Sequence, residues 1–188
     1  MSDDSDPTAS TLGILVSEAL KQWNTDALFM LLQDDNEIVR VSASRELQLR
    51  GDRSIFEKTL ALFHDNNSKV REMVAYIMGQ LGTPLMPYRE ESLHPLLSLT
   101  YDNDANVRSA SAAAFGHLCY NGTPQEVEDR LVQLCSDKDK DVRACAAYAL
   151  GNSSGSEEIR ALLIGLQPDE YVGPYAELAL EILDDKPK

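Results

Sequence analysis

The pattern Asp-x-x-x-x-Val-Arg returns four times along the chain. Asp34 leads to Val39-Arg40, Asp65 to Val70-Arg71, Asp102 to Val107-Arg108, and Asp137 to Val142-Arg143. The arginines are 31, 37 and 35 residues apart. Four residues after each arginine stands a small residue: Ser44, Ala75, Ala112 or Ala147. Seven residues after it stands a large apolar one: Leu47, Met78, Phe115 or Leu150. Gly79, Gly116 and Gly151 follow at the eighth place in three of the copies. Self-similarity at this period is the signature of a solenoid, in which each unit buries its apolar strip against its neighbours. Such arrays are most often recognition surfaces, so the pattern directs attention to a partner before a reaction.

Apolar periodicity resolves each copy into two helices, A and B. The A helices are expected over Thr25–Leu32, Ser54–Phe63, Arg89–Thr100 and Pro124–Cys135. The B helices are expected over Glu37–Leu49, Ser68–Leu81, Asn106–Leu118 and Asp141–Leu150. Ser54-x-x-Glu57 and Thr123-Pro124-Gln125-Glu126 read as capping boxes, the second with proline at the first helical position. Gly51 and Gly82 fit helix ends that need a left-handed residue. A fifth pair, Ser156–Leu166 and Tyr171–Leu183, has Gly173 in the arginine place and lacks the aspartate, as a terminal repeat would. Thr11–Trp23 forms an additional amphipathic helix over the first repeat. The expected fold is all-α: a right-handed α-solenoid of about five helix pairs with an extra N-terminal helix. One repeat domain covers residues 11–183, after a disordered 1–10 and before a tail at 184–188. Pro84–Tyr88 is the longest connector and the expected irregular feature.

An aspartate at a helix N-terminus accepts bonds from free backbone N–H groups and suits the positive dipole end. The arginine six residues on reaches an aspartate of its own or the adjacent repeat. Asp34, Arg40, Asp65, Arg71, Asp102, Arg108, Asp137 and Arg143 are therefore expected to form a structural ladder between layers. A row of arginines gripping phosphate is the competing reading. It is disfavoured because each arginine comes with an aspartate and the chain carries a formal charge of −14. A field of that sign repels nucleic acid and anionic membranes and attracts a basic partner.

Several constellations fail on chemistry. Asp102-x-Asp104-x-Asn106 and Asp137-x-Asp139-x-Asp141 resemble the start of a calcium loop. They lack glycine at the sixth place and glutamate at the twelfth, where Val107 and Val142, then Ala113 and Tyr148, stand. His64, His94 and His117 are scattered, and His117-x-Cys119 alone supplies too few zinc ligands. Gly151-Asn152-Ser153-Ser154-Gly155 spells a nucleophile elbow but follows a helical pattern where a strand is required. Cys119, Cys135 and Cys145 are odd in number and without a C-x-x-C, which suits free thiols in a reducing compartment. No cofactor, metal or catalytic residue is expected.

Val142-Arg143-Ala144-Cys145-Ala146-Ala147-Tyr148-Ala149-Leu150-Gly151 resembles the hallmark of HEAT-like repeats, over residues 25–183. A narrower resemblance is carried by Asp26-Ala-Leu-Phe-Met-Leu-Leu, Arg45-Glu-Leu-Gln-Leu-Arg-Gly51 and Tyr76-Ile-Met-Gly-Gln80. These are similar to the HEAT-repeat immunity proteins paired with Rhs polymorphic toxins. That resemblance implies a cytoplasmic, non-enzymatic protein, monomeric when free, that binds and neutralises a basic toxin domain. A general HEAT-repeat adaptor or assembly factor for a cellular enzyme is the alternative. B helices line the inner face of such solenoids. Positions one, five and nine after each arginine are expected to point outward from the core. The resulting partner-binding candidates are Arg45, Glu72, Tyr76, Gln80, Ser109, His117, Tyr148 and Asn152, with tyrosine the expected anchor.

Overall fold

The computed structural model describes residues 11–120 and 122–185, and all regular structure among them is helical. The expectation of disorder over residues 1–10 lies outside the described residues. The described residues fall into two compact units, within Met1–Tyr88 and Arg89–Lys188.

The first unit holds α1 (Thr11–Leu20), α2 (Thr25–Met30), α3 (Glu37–Arg50), α4 (Arg53–Ala61) and α5 (Ser68–Gln80). α2 runs on through a 3-10 turn at Leu31–Gln33. α1 packs on α3 and α3 on α5, so α1 stands where the B helix of an earlier repeat would stand. Leu28, Leu32, Ala43, Leu47, Ile55, Val74, Ala75 and Ile77 are fully buried between these helices. Burying one such aliphatic side chain is worth about 1.5–3 kcal/mol.

The second unit holds α6 (Arg89–Leu99), α7 (Ala105–Leu118), α8 (Gln125–Leu134), α9 (Lys140–Ala149), α10 (Glu157–Leu166) and α11 (Gly173–Asp184). α7, α9 and α11 pack in sequence, each with its A helix behind it. Phe115, Leu131, Val142, Ala146, Ala147, Leu150, Leu163, Ala176 and Ala179 form the core.

The aspartates of the repeat act one step earlier than helix capping. Asp34, Asp65, Asp102 and Asp137 each accept the N–H of the residue two places on, at 2.8–2.9 Å. That residue is Asn36, Asn67, Asp104 or Asp139, and it is the true N-cap of the B helix. Its own side chain accepts the N–H two further on, at 2.9–3.1 Å. Two successive Asx turns thus wind the chain into each B helix. The calcium-like spacing of acids is this device.

The repeat arginine closes the same loop from the other side. Nη1 of Arg40, Arg71, Arg108 and Arg143 donates to the backbone carbonyl of the aspartate six residues earlier, at 2.7–3.0 Å. Contact with the next layer differs between rungs. Arg108 extends Nε and Nη2 to both carboxylate oxygens of Asp137, at 2.9 and 2.8 Å. Arg143 approaches Asp169 at only 3.9 Å. Arg40 keeps to the carbonyls of Asp34 and Asp35, and its buried Nε has no hydrogen-bond partner.

The structure clarifies the fifth pair and corrects two local expectations. The fifth pair lacks the repeat aspartate, since Gln167 stands six residues before Gly173; Asp169 instead holds the place of the N-cap Asp139 and accepts from Tyr171 and Val172 N–H, at 2.8 and 2.9 Å. It lies four residues before Gly173, just as Asp139 lies four residues before Arg143. α4 is capped by Asp52, which accepts from Ile55 N–H at 3.1 Å, and Ser54 lies inside the helix. α8 begins after Pro124 without a side-chain cap, so Thr123 does not serve as one.

Gly51 and Gly82 have φ of 59° and 74°. A Cβ on Gly51 would lie 2.5 Å from the Gly82 Cα, so this close approach excludes any other residue. The connector at residues 83–88 contains a cis Thr83–Pro84 bond and Met86 at φ 41°. It is pinned by the Tyr88 ring, stacked on Phe56 at 4.9 Å with the Arg53 guanidinium over both.

The unequal rungs predict unequal energies. Asp137 and Arg108 are nearly buried, with side-chain exposures of 12% and 8%. Arg108→Ala strands a buried carboxylate and should cost about 3 kcal/mol. Arg143→Ala breaks a longer, more open pair and should lose under about 1 kcal/mol from it. Urea unfolding of the two variants checks the order; equal losses would refute it. The hydrogen bond from Arg108 holds the Asp137 pKa below its ordinary value, against the opposing effect of burial. A depressed carboxylate pKa gives stability that is complete above the unfolded value, about pH 4, and disappears as pH falls through the folded value. The parent chain should therefore lose its advantage over Arg108→Ala in that acid window and not at pH 6–8.

Candidate partner-binding surface

In the first unit, α1, α3 and α5 present one side to solvent. Arg45 and Leu49 on α3 are exposed, while Glu72, Tyr76 and Gln80 on α5 are half-buried. Gln48 occupies the place that glycine takes in the other copies, and its amide donates to the Tyr76 carbonyl. Between α1 and α3 lies a groove of about 260 Å³, lined by Ile14, Ser17, Glu18, Lys21, Ser42, Arg45, Glu46 and Leu49. Its rim carries the ion pair Glu18–Lys21 and the Glu46 carboxylate, held by Arg50 at 3.0 Å. α1 was read only as a cover for the first repeat, so its contribution to this wall was missed.

In the second unit the face is built by α7, α9 and α11. Ser109, Ala110 and Ala113 form a low floor on α7, with exposed His117 at its end. Cys145 and Tyr148 on α9, and Asn152 in the 3-10 turn Leu150–Asn152 that follows it, are half-buried. Asn152 donates to the Gly116 carbonyl at 2.8 Å, and Cys145 Sγ meets Ser109 Oγ at 3.3 Å. Position one is not uniformly outward, because Val41 and Ala144 are buried there.

Helix packing fixes the register of the degenerate fifth repeat. Gly116 faces the Ala149 Cα, and Gly151 faces the Ala179 Cα in the same way. Val172 and Ala176 are buried as Val142 and Ala146 are. Tyr175 and Leu178 then fall at the positions of Cys145 and Tyr148, with exposures of 37% and 43%. Tyr148, Tyr175 and Leu178 make this an aromatic and aliphatic face that the eight sequence candidates only touched. Leu178 lies five places after Gly173, the residue in the arginine place, whereas Tyr175 lies two places after it, an offset that was not among the outward positions.

Electrostatics sharpen the contrast between units. Residues 89–188 hold 18 acidic and 9 basic side chains, a formal charge of −9; residues 1–88 hold 13 and 8, or −5. Tyr171 donates its hydroxyl to Asp141, and Lys140 lies over the Tyr171 ring at 4.0 Å. His117 is exposed, yet displacement of water by its neighbours holds its pKa below 6.5, which favours the neutral ring at pH 7. Burial pushes the Cys135 thiol up to about 12 and raises those of Cys145 and Cys119. Thiols so shifted stay protonated and are poor nucleophiles. Among the described residues no group of three or more metal-ligating side chains occurs, and no helix is long and apolar enough to cross a membrane.

The Tyr148 ring closes over Gly116: a Cβ there would stand 3.0 Å from Tyr148 Cε1. In a helix interior alanine is favoured over glycine by about 1 kcal/mol. Gly116→Ala should therefore be neutral or destabilising in the parent and stabilising by up to about 1 kcal/mol beside Tyr148→Ala. A double-mutant cycle of thermal stabilities measures this; strict additivity would show that the ring does not pack on the glycine.

Comparison with known proteins agrees with this architecture. A profile of HEAT repeats matches residues 25–116 and 93–181. Protein YibA of Escherichia coli strain K12 is 30% identical over 169 residues, which make up 86% of this chain and 59% of YibA. The X-ray structure of YibA superposes with a TM-score of 0.79 at 25% identity, covering 95% of this chain and 66% of that one. The chain thus spans less than two thirds of the relative it matches. The complex of CpcE and CpcF of phycocyanin lyase from Nostoc sp. gives a TM-score of 0.67 at 18% identity, over 83% of this chain and 97% of that one. A designed armadillo repeat protein in complex with peptide (KR)4 gives 0.58 at 20% identity, over 93% of this chain and 88% of that one.

Proposed function

From the premise that the chain belongs to the HEAT-repeat family, we propose that it is a non-enzymatic binding protein that takes a basic protein domain on its B-helix faces. The observation that carries this is the α7–α9–α11 face, where Tyr148, Tyr175 and Leu178 stand half-open in a unit of charge −9. Tyrosine is enriched at the centres of interfaces and among their energetic anchors. A surrounding negative field steers a cationic partner toward them. The finer reading is that of an immunity protein, acting in the cytoplasm on a toxin domain. Tight association there would cover or distort the toxin's active site. The repeat motifs similar to immunity proteins support this, and so does the (KR)4 ligand of the designed armadillo protein, a basic chain on a related architecture.

Co-expression with a toxin domain encoded beside the gene tests the reading. The parent chain should restore growth and co-purify with the toxin. Tyr148→Ala and Tyr175→Ala should each weaken binding about tenfold, the equivalent of about 1.4 kcal/mol. The association rate should fall steeply between about 50 and 500 mM salt while dissociation changes little. An unaltered association rate would show that the acidity plays no part in capture.

A further inference from the structure

We propose that the α7–α9–α11 face recognises arginine in particular, by stacking guanidinium groups of a partner segment on the rings of Tyr148 and Tyr175. This rests on the reading of that face as the docking surface and adds the chemistry of its occupant. Three observations lead to it. The rings are held by their surroundings: Tyr148 lies on Gly116, and Tyr175 lies 6.3 Å from the Tyr171 ring. Ser109, Ala110 and Ala113 leave the space beside Tyr148 low, so a flat group has room on this face.

The charge selects a cation. Glu177 and Glu181 are exposed, one turn apart on α11 beside Leu178, and neither carboxylate makes a hydrogen bond or ion pair among the described residues. Like charges at this spacing repel each other slightly in a helix, and an incoming cation relieves that. The same field disfavours phosphate-bearing ligands.

The chain uses the contact within its own fold. Arg130 stands 3.7 Å from the centre of the exposed Tyr101 ring while its other nitrogens take the Thr100 carbonyl and hydroxyl. Arginine is preferred to lysine for such stacking because its guanidinium is planar and more weakly hydrated than an ammonium.

The test uses the full chain and fluorescent octapeptides of alternating arginine and serine, lysine and serine, or glutamate and serine, followed by anisotropy. The arginine peptide should bind roughly fivefold more tightly than the lysine peptide, and the glutamate peptide should not bind. Tyr175→Leu and Tyr148→Leu should each remove most of the arginine preference, and Tyr→Phe at either position should retain it. Should Tyr148→Leu fail to fold, Tyr175→Leu, on a more exposed ring, decides the matter. Equal affinity for arginine and lysine peptides, unchanged by Tyr175→Leu, would reduce the attraction to diffuse charge and overturn the proposal. No binding at millimolar peptide would overturn it too. So would a dimer in sedimentation that Tyr175→Leu dissociates, since a second copy would then cover the face. Arginine selectivity in a chain that neutralises no toxin leaves this inference standing and removes only the immunity reading.

Discussion

The Asp137 carboxylate shows on one residue what the second unit depends on. Its Oδ1 accepts the Asp139 N–H and so starts the turn into α9, and both its oxygens receive the Arg108 fork from the preceding layer. Its backbone carbonyl takes Arg143, which begins the next step. Local winding and layer stacking therefore share one anion. A nearly buried charge is tolerable only when its partners are complete, and here the partners come from two layers at once. That ties the start of α9 to the position of α7, and the packing of small residues between them follows.

The Asp/Arg spacing and the apolar period sufficed to place every helix pair, because both depend on contacts within about 40 residues. Less visible were features set by geometry across layers. Arg108 and Arg40 occupy the same place in the repeat, yet one grips the next aspartate and the other meets only carbonyls. The motif records the shared local contact and is silent about reach. A second set of arginines escaped notice for a related reason. Arg50 takes the Trp23 carbonyl, Arg89 that of Leu118, Arg130 that of Thr100 and Arg160 that of Leu183. They close helix ends left without donors, but they sit at no constant offset from the repeat.

The candidate surface was legible to a similar depth. Tyr148, His117 and Asn152 were found because they lie at regular offsets in an intact repeat. Tyr175 was not, since the second place after the arginine was not counted as outward, and Leu178, at the fifth place, was passed over because the terminal repeat lacks both aspartate and arginine. The match of Gly151 on Ala179 to Gly116 on Ala149 agrees with the register that puts Gly173 in the arginine place. The positions released from the motif are free to become apolar and exposed.

Close stacking also explains why the face is suited to binding. Alanine and glycine between α7 and α9 bring the two helices together and leave no depth for a ring between them. Tyr148 instead sets Cδ1 and Cε1 of its ring against Gly116 and stays half-buried. A ring fixed in this way has already lost the rotamer freedom that an interface would otherwise remove, a cost of about 0.5–1.5 kcal/mol for each immobilised side chain. Rigid aromatic area with only two torsions is efficient contact surface for the same reason. The small residues that first marked the repeat as structural thus also prepare its tyrosine for a partner.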